Sequence, residues 1–389
     1  MTVSSWAFDN NQEVVLCCSS TRHRRFIDDL VNVMALPSGS RIPLRYGEDV
    51  CDPQIRQWGE DAPIPVPNRL AALIVHVKFD DEQAEFLPLR VGEVVEIRTE
   101  GTVTYLEVEL GPFVEQPMGG EFRDKLKLLA TLDLPYKPAD AKKPIGRFCQ
   151  RLKSAPALIS GTNTKSWERV AERFMSAIHK SNADFPFIFH MEIFQTGAWG
   201  AKPVPVRAGM LWAPAASKLE LRIRTLADKT AFNSIIQNAV GTLKLNVDHP
   251  DCQLTSRSDL SIDTTRNLLT CRMATRIALR VAYGAIVLTA SRGESNAIHQ
   301  SKADSTDTDN DADERPAPVD KVIVELPLTV GKTFTRVAAA ASVALAAAAH
   351  EFDLKELDLH MEWVLAKAGI VFLLVFAALY YGLKPQGGG

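Results

Sequence analysis

The sequence predicts an α+β protein: an N-terminal domain of mixed short helices and strands, then a mainly antiparallel β domain, a sandwich or partial barrel carrying one amphipathic helix, then a C-terminal transmembrane helix. Three observations carry this. Between Phe185 and Val330 the apolar residues recur at every second position, the period of a half-buried strand. Between Leu134 and Gly161 prolines and charges cluster and interrupt every period. From Val364 to Leu383 the chain runs 20 residues with Lys367 as their single charge.

The length of 389 residues exceeds what one core usually organises, since single cores stop growing at about 250–300 residues. Residues 1–135 are therefore read as one domain and 136–330 as a second, followed by a juxtamembrane segment at 331–362 and the span at 363–384. In the first domain "EVVLCCS" reads as a buried strand, "RHRRFIDDLVNVM" as a helix and "LAALIVHVKF" as another strand, from its run of branched aliphatics. "VGEVVEIRTEGTVTYLEVEL" reads as a hairpin if Gly101 supplies a positive φ. "FRDKLKLLATL" repeats its apolar residues at helical spacing and closes the domain.

In the second domain, "NTKSWERVAERFMSAIHKS" places Trp167, Val170, Ala171, Phe174, Met175 and Ile178 on one helical face, with Asn163 or Thr164 as cap. "KLELRIRT" and "RIALRVAY" alternate apolar and basic residues, so each reads as a strand with one wet face. Residues 291–320 are polar and acidic and have no apolar set to bury; they read as a disordered loop inserted into this domain.

The 20 residues from Val364 cover about 30 Å as a helix, the hydrocarbon thickness of a bilayer. Trp363, Tyr380 and Tyr381 supply interfacial aromatics, and Lys367 and Lys384 lie where an ammonium reaches the headgroups. The alanine-rich Val337 to Ala349 is too short to cross unaided, at about 20 Å, but as a second membrane helix it would make a hairpin. Its small side chains allow close helix approach, so self-association through 337–383 is expected. No basic leader precedes an apolar run at the N-terminus, so the bulk of the chain is expected in the cytoplasm.

The 44 basic and 47 acidic residues leave a net charge of −3, without the basic excess of a nucleic-acid binder, and no nucleic acid is expected as a partner. Six cysteines lack paired metal spacing and read as free thiols in a reducing compartment; Cys17 and Cys18 end an apolar run and pack as small hydrophobes. No metal and no cofactor are expected.

The catalytic motifs fail on their chemistry. "ELPLTVGKTF" has Leu326 where a phosphate loop needs its first glycine. The acidic run from Asp307 has Ala312 and Pro318 where a calcium loop needs glycine and glutamate. His190-Met191-Glu192 has the H-x-E of zinc deaminases but no P-C-x-x-C; on a strand the two side chains share a face and can pair. No catalytic residue is assigned.

Arginines are the remaining signal. Arg22, Arg24 and Arg25 open a helix that follows a strand, and Arg41 and Arg45 follow a small-residue loop, an arrangement that can present amides and guanidinium groups to an anion. Arg222, Arg224, Arg276 and Arg280 would line one patch if their strands adjoin. The sequence thus supports a membrane-anchored cytosolic binding or sensor protein, non-catalytic, that recognises an anionic small molecule or an acidic protein partner. Two alternatives stand beside it: a ligand-gated effector that oligomerises through its C-terminal helices and perturbs the membrane, and an enzyme with an unrecognised active site in the first domain.

Overall fold

The computed structural model describes residues 13–21, 24–60, 64–80, 83–115, 147–152, 160–161, 164–179, 187–198, 200–227, 241–262, 267–276, 281–292 and 321–331. The expected helix at "FRDKLKLLATL", residues 293–320 of the acidic insertion, the alanine-rich segment and the expected span lie outside these. Among the described residues no helix is long and apolar enough to cross a membrane. The described chain is mostly β-sheet with few helices.

Seven strands make the first sheet: β1 (Val14–Ser19), β2 (Arg41–Gly47), β3 (Ile64–Asp80), β4 (Gln83–Glu100), β5 (Val103–Val114), β6 (Arg147–Leu152) and β7 (Ser160–Gly161). Their order is β2-β5-β4-β3-β1-β6, with β7 beside β5. β1 runs parallel to β3 and antiparallel to β6. Gly101, at φ 60°, turns β4 into β5 as the hairpin requires. β6 and β7 come from beyond residue 135, so the sheet begun by the first segment is completed by later chain.

After β2 a 3₁₀ turn (Glu48–Val50) leads to Cys51, which forms a β-bridge with Cys149 of β6. The Asp52 amide donates to the Cys149 carbonyl at 2.9 Å, and the Arg151 amide donates to Asp52 Oδ2 at 3.1 Å. The two ends of the sheet are thereby brought together, and it curls back on itself.

Two helices lie against this sheet and the second set of strands. α1 (Arg24–Ala35) buries Ile27, Leu30, Val31 and Met34, the i, i+3, i+4, i+7 stripe of a core-facing helix. It touches β2 and β4 on one side, and β8 (Phe187–Gly197) and β18 (Lys321–Val330) on the other. α2 (Pro53–Glu60) covers β4. α3 (Thr164–His179) buries Trp167, Val170, Ala171, Phe174 and Met175 against β4, β5, β8 and β12 (Lys218–Ala227). Each such aliphatic or aromatic side chain contributes about 1.5–3 kcal/mol by leaving water.

The remaining strands form two sheets. One joins β10 (Val206–Arg207), β11 (Met210–Ala213), β18, β17 (Ala282–Arg292), β13 (Gly241–Asp248) and β15 (Asp259–Ile262) in that order. The other joins β14 (Cys252–Leu254), β16 (Leu268–Thr275), β12, β8 and β9 (Gly200–Pro203). One continuous apolar cluster runs from the first sheet through α1 and α3 into both of these sheets. A separate cluster, with Leu16, Leu73 and Val91, lies on the opposite face of the first sheet.

Leu219, Leu221 and Ile223 of β12 point inward, as the alternation requires. "RIALRVAY" is different. β16 ends at Thr275 and β17 begins at Ala282, in another sheet, with residues 277–280 outside the described residues; Tyr283, expected on the inner face, is 68% exposed. A period-two pattern cannot locate the end of a ladder, because the ladder partners decide it. β17 also takes in Ser291 and Arg292 from the start of the acidic stretch, and Ser291 faces Lys321 of β18 across the ladder.

Candidate anion site

β1 ends at Ser19, and Ser19, Ser20 and Thr21 are all buried as the chain turns into α1. A strand with a parallel neighbour that opens into a helix aims the helix's first N–H groups, which have no intrahelical acceptor, at the strand's carboxyl end. The first turn of α1 carries no acidic residue to occupy that end.

β6 supplies the side chain that completes the site. The antiparallel register sets Arg147 opposite Ser19, at the mouth of β1, and Arg147 is 4% exposed. Its Nη1 donates to Asp29 Oδ2 on α1. The guanidinium also lies over two rings, 4.8 Å from the centre of Tyr46 and 5.1 Å from that of Phe26. Burial opposes its charge, but the Tyr46 phenol and the Asp29 carboxylate outweigh that and raise its pKa.

The other edge of the same guanidinium is uncommitted. Among the described residues, Nε and Nη2 of Arg147 and the hydroxyl of Tyr46 are buried with no partner at hydrogen-bonding geometry, although the phenol lies close enough to the guanidinium to raise its pKa. Leaving a buried donor unsatisfied costs about 1–3 kcal/mol. The Nε/Nη2 edge is the fork that grips a carboxylate or phosphate through two parallel hydrogen bonds. An anion at this point would collect the two guanidinium donors, with the Tyr46 phenol beside them, and the field of the α1 N-terminus.

The opposite end of α1 is closed by a second buried arginine. Arg90 of β4 donates from Nε to the Gly111 carbonyl (2.6 Å), from Nη1 to the Val33 and Leu36 carbonyls (both 2.7 Å) and from Nη2 to Ser38 Oγ (3.0 Å). These include carbonyls in the last turn of α1, where a helix favours positive charge. Burial brings the Arg90 pKa down to about 9. All its bonding edges are taken, so it holds the scaffold rather than a ligand.

The basic residues singled out in the sequence are distributed as follows. Arg24 and Arg25 are the first two residues of α1, beside the site, while Arg22 and Arg280 lie outside the described residues. Arg41 pairs with Glu109 at 3.3 Å and Glu107 at 3.5 Å, and Arg45 is exposed further along β2. Arg222 pairs with Glu220 at 2.6 Å and stacks 4.2 Å from the Phe194 ring centre; Arg224 pairs with Glu192 at 3.4 Å. Arg276 follows β16 and donates to Gln253 at 2.8 Å; six residues past Thr270, the partner of Arg222, it is about 20 Å away along the strand. These arginines share a sheet, but their nearest neighbours are carboxylates and amides, so they form a mixed surface rather than one cationic patch. The membrane-interface residues Trp363, Lys367, Tyr380, Tyr381 and Lys384 lie outside the described residues.

His190 and Glu192 do not pair. His190 stacks on Trp167, with centroids 5.9 Å apart, and meets the Phe113 ring edge-on at 5.2 Å. Burial, with Arg90 and Arg224 nearby, brings its pKa down to about 3, so it is neutral at physiological pH. Among the described residues no group of three His, Cys, Asp or Glu side chains is placed to hold a metal.

Sequence reasoning missed Arg147 and Arg90. Each has a legible signal, an arginine inside an apolar strand run, "RFCQRL" and "LPLRVGEVV", where a charge needs a specific partner to be buried. No protein-family model matches the chain, and no curated protein matches it.

Proposed function

We propose that this chain is a membrane-anchored cytosolic sensor or binding protein, and that its ligand is an anion held at the α1 N-terminus by Arg147. The observation that carries this reading is the buried Nε/Nη2 fork without an acceptor, placed opposite Ser19 by the β1–β6 register. A phosphoryl or carboxylate group, on a small molecule or on an acidic partner's side chain, fits its chemistry. The anchor is the apolar stretch from Val364 to Leu383, which follows the last described strand through a connecting segment. The proposed role is recognition without turnover.

A second reading, a ligand-gated effector acting on the membrane, draws on the path of α1. The helix that begins at the anion site touches β18, and β18 ends at Val330, from which the chain continues to the small-residue segment and the expected span. A ligand that shifts α1 would thus act on the strand leading to the membrane helices.

Native mass spectrometry of the full-length protein in detergent, followed by titration with inorganic phosphate, a nucleoside triphosphate and a dicarboxylate, tests the first reading. At least one of these is expected to bind wild type and to lose about a hundredfold in affinity in Arg147→Gln. Equal binding by wild type and Arg147→Gln, or binding by neither, would remove the anion site. Dye leakage from ligand-loaded vesicles that depends on residues 337–383 separates the effector from a passive tether.

A further inference from the structure

One ladder step below Arg147, three thiols meet. Cys149 lies opposite Cys17 in the β1–β6 ladder and opposite Cys51 in the bridge that closes the sheet. The Cys17–Cys149 pair is antiparallel, with Cα atoms about 4.5–5.5 Å apart; the Cys51–Cys149 bridge is parallel, with neighbouring strands about 4.7–4.9 Å apart, and both fall within the roughly 4.4–6.8 Å that a disulfide spans. The Cys149 thiol is close enough to both neighbouring thiols that each raises its pKa. Cys17, Cys51 and Cys149 are all buried, at 0%, 2% and 3% exposed, and all are free thiols.

The three are not equivalent. The hydrogen bond from Cys149 lowers the pKa of Cys51; burial opposes this, and a further hydrogen bond from Thr104 adds to it. Burial, followed by the bonds to Cys17 and Cys51, pushes Cys149 well up. Cys51 is therefore the more acidic of the two thiols and Cys149 the less, the order expected of an attacking and a resolving thiol. Cys51 itself is buried, but it sits in a short connection whose residues Asp49 and Pro53 are exposed, and Asp52 caps α2 by accepting from the Gln54 amide at 2.9 Å.

We propose that Cys51 and Cys149 are an oxidisable dithiol which a hydroperoxide closes to a disulfide, and that closure regulates the anion site through β6. The Cys51 thiolate attacks one peroxide oxygen; an S–O bond forms, the O–O bond breaks, and the departing hydroxide or alkoxide takes up a proton. The Cys149 sulfur then attacks Cys51, forming the S–S bond and breaking S–O, and the leaving hydroxide takes the Cys149 proton to become water. Two thiols lose two electrons and the peroxide gains them. Cys149 is two residues from Arg147 on the same strand and the same face, so drawing it toward Cys51 moves the guanidinium fork relative to Ser19. The regulatory half rests on the anion-site reading above; the disulfide does not.

The test uses the reduced full-length protein in detergent, treated with hydrogen peroxide, blocked with an alkylating reagent and mapped by peptide mass spectrometry without reduction. A Cys51–Cys149 linked peptide is expected, lighter by two hydrogens and reversed by dithiothreitol. In Cys149→Ser, dimedone is expected to label Cys51 ahead of every other cysteine. Cys17→Ser keeps the attacking pair and is expected to form the same link, which guards against a misfolded Cys149 variant. Alkylation of both Cys51 and Cys149 after peroxide, or a Cys17–Cys149 link in place of the expected one, overturns the dithiol. Phosphate titration of reduced and oxidised wild type then reads the coupling: a change in affinity of about tenfold supports regulation, and equal binding refutes it. Absence of phosphate binding in both states, with the link present, removes the anion site and leaves the dithiol standing.

Discussion

The guanidinium of Arg90 lies 4.3 Å from the centre of the Phe113 ring, and the edge-on contact between that ring and His190 carries the packing from the first sheet into β8. Arg90 thus joins three things at once: the last turn of α1, the β5 backbone at Gly111 and the aromatic contacts that lead into the second set of strands. A lone buried cation is tolerated here because every donor edge meets an oxygen.

Arg90→Met keeps much of the volume and removes all the donors. The carbonyls of Gly111, Val33 and Leu36 would lose their partner, and stability is expected to fall by about 3 kcal/mol or more. Chemical denaturation of wild type and variant reads this directly; a difference below about 1 kcal/mol would show that water replaces the guanidinium without cost.

His190 gives the fold an acid-side weakness. The unfolded chain takes up a proton near pH 6.5, but the folded chain does not until about pH 3. Between those limits the unfolded state holds more protons, so the stability present above pH 6.5 is lost as pH falls, by about 1.4 kcal/mol per pH unit for this one group. Unfolding midpoints at pH 7, 6 and 5 should fall more steeply in wild type than in His190→Phe, and parallel slopes would exclude His190 as the cause.

Asp29→Asn removes the carboxylate that shares Arg147 with the site. A buried guanidinium left unpaired destabilises the fold by up to about 3–5 kcal/mol, less here because Asp29 is partly exposed. An added anion restores the lost partner, so the variant is expected to show a larger rise in melting temperature with inorganic phosphate than wild type. A smaller rise would place the anion elsewhere.

Two glycines make opposite predictions. Gly39 has φ +88°, donates to the Leu110 carbonyl at 2.7 Å, and would drive a Cβ into the Val206 carbonyl of β10. Gly39→Ala is expected to cost about 2 kcal/mol or more, through both strain and collision. Gly101 has φ +60° with open space around it, so Gly101→Asn is expected to change stability by less than about 1 kcal/mol. Thermal melts of the two variants side by side test the contrast.

The proposed membrane anchor makes its own prediction. Full-length protein is expected to pellet with membranes after alkaline carbonate washing, and a variant lacking residues 363–384 to stay in the supernatant. Wild-type protein in the supernatant without detergent would remove the anchor from the proposal.

Local features were legible in the sequence. The succession of β1 and α1, the β4–β5 hairpin with positive φ at Gly101, the inward set Leu219, Leu221 and Ile223, and the buried stripe of α3 all follow from side-chain period and turn chemistry, which a short window of residues specifies. The end of a strand was not: β16 stops at Thr275 and β17 starts at Ala282 within a stretch whose alternation runs on unbroken, because the ladder partners decide where pairing ends.

The tertiary structure alone decided which arginine faces the end of β1. Arg147 and Asp29 are 118 residues apart in the chain, and the meeting of Cys17, Cys51 and Cys149 depends on the same closure of the first sheet. Conversely, Arg222 and Arg224 were legible as basic residues on a wet strand face, and Glu220, the partner of Arg222, lies two residues away on the same strand, but the partner of Arg224, Glu192, comes from strand register. Period and propensity are properties of neighbours in sequence; charge pairing, burial of a donor and the approach of two thiols are set by which strands lie side by side, and that is fixed only when the whole sheet has formed.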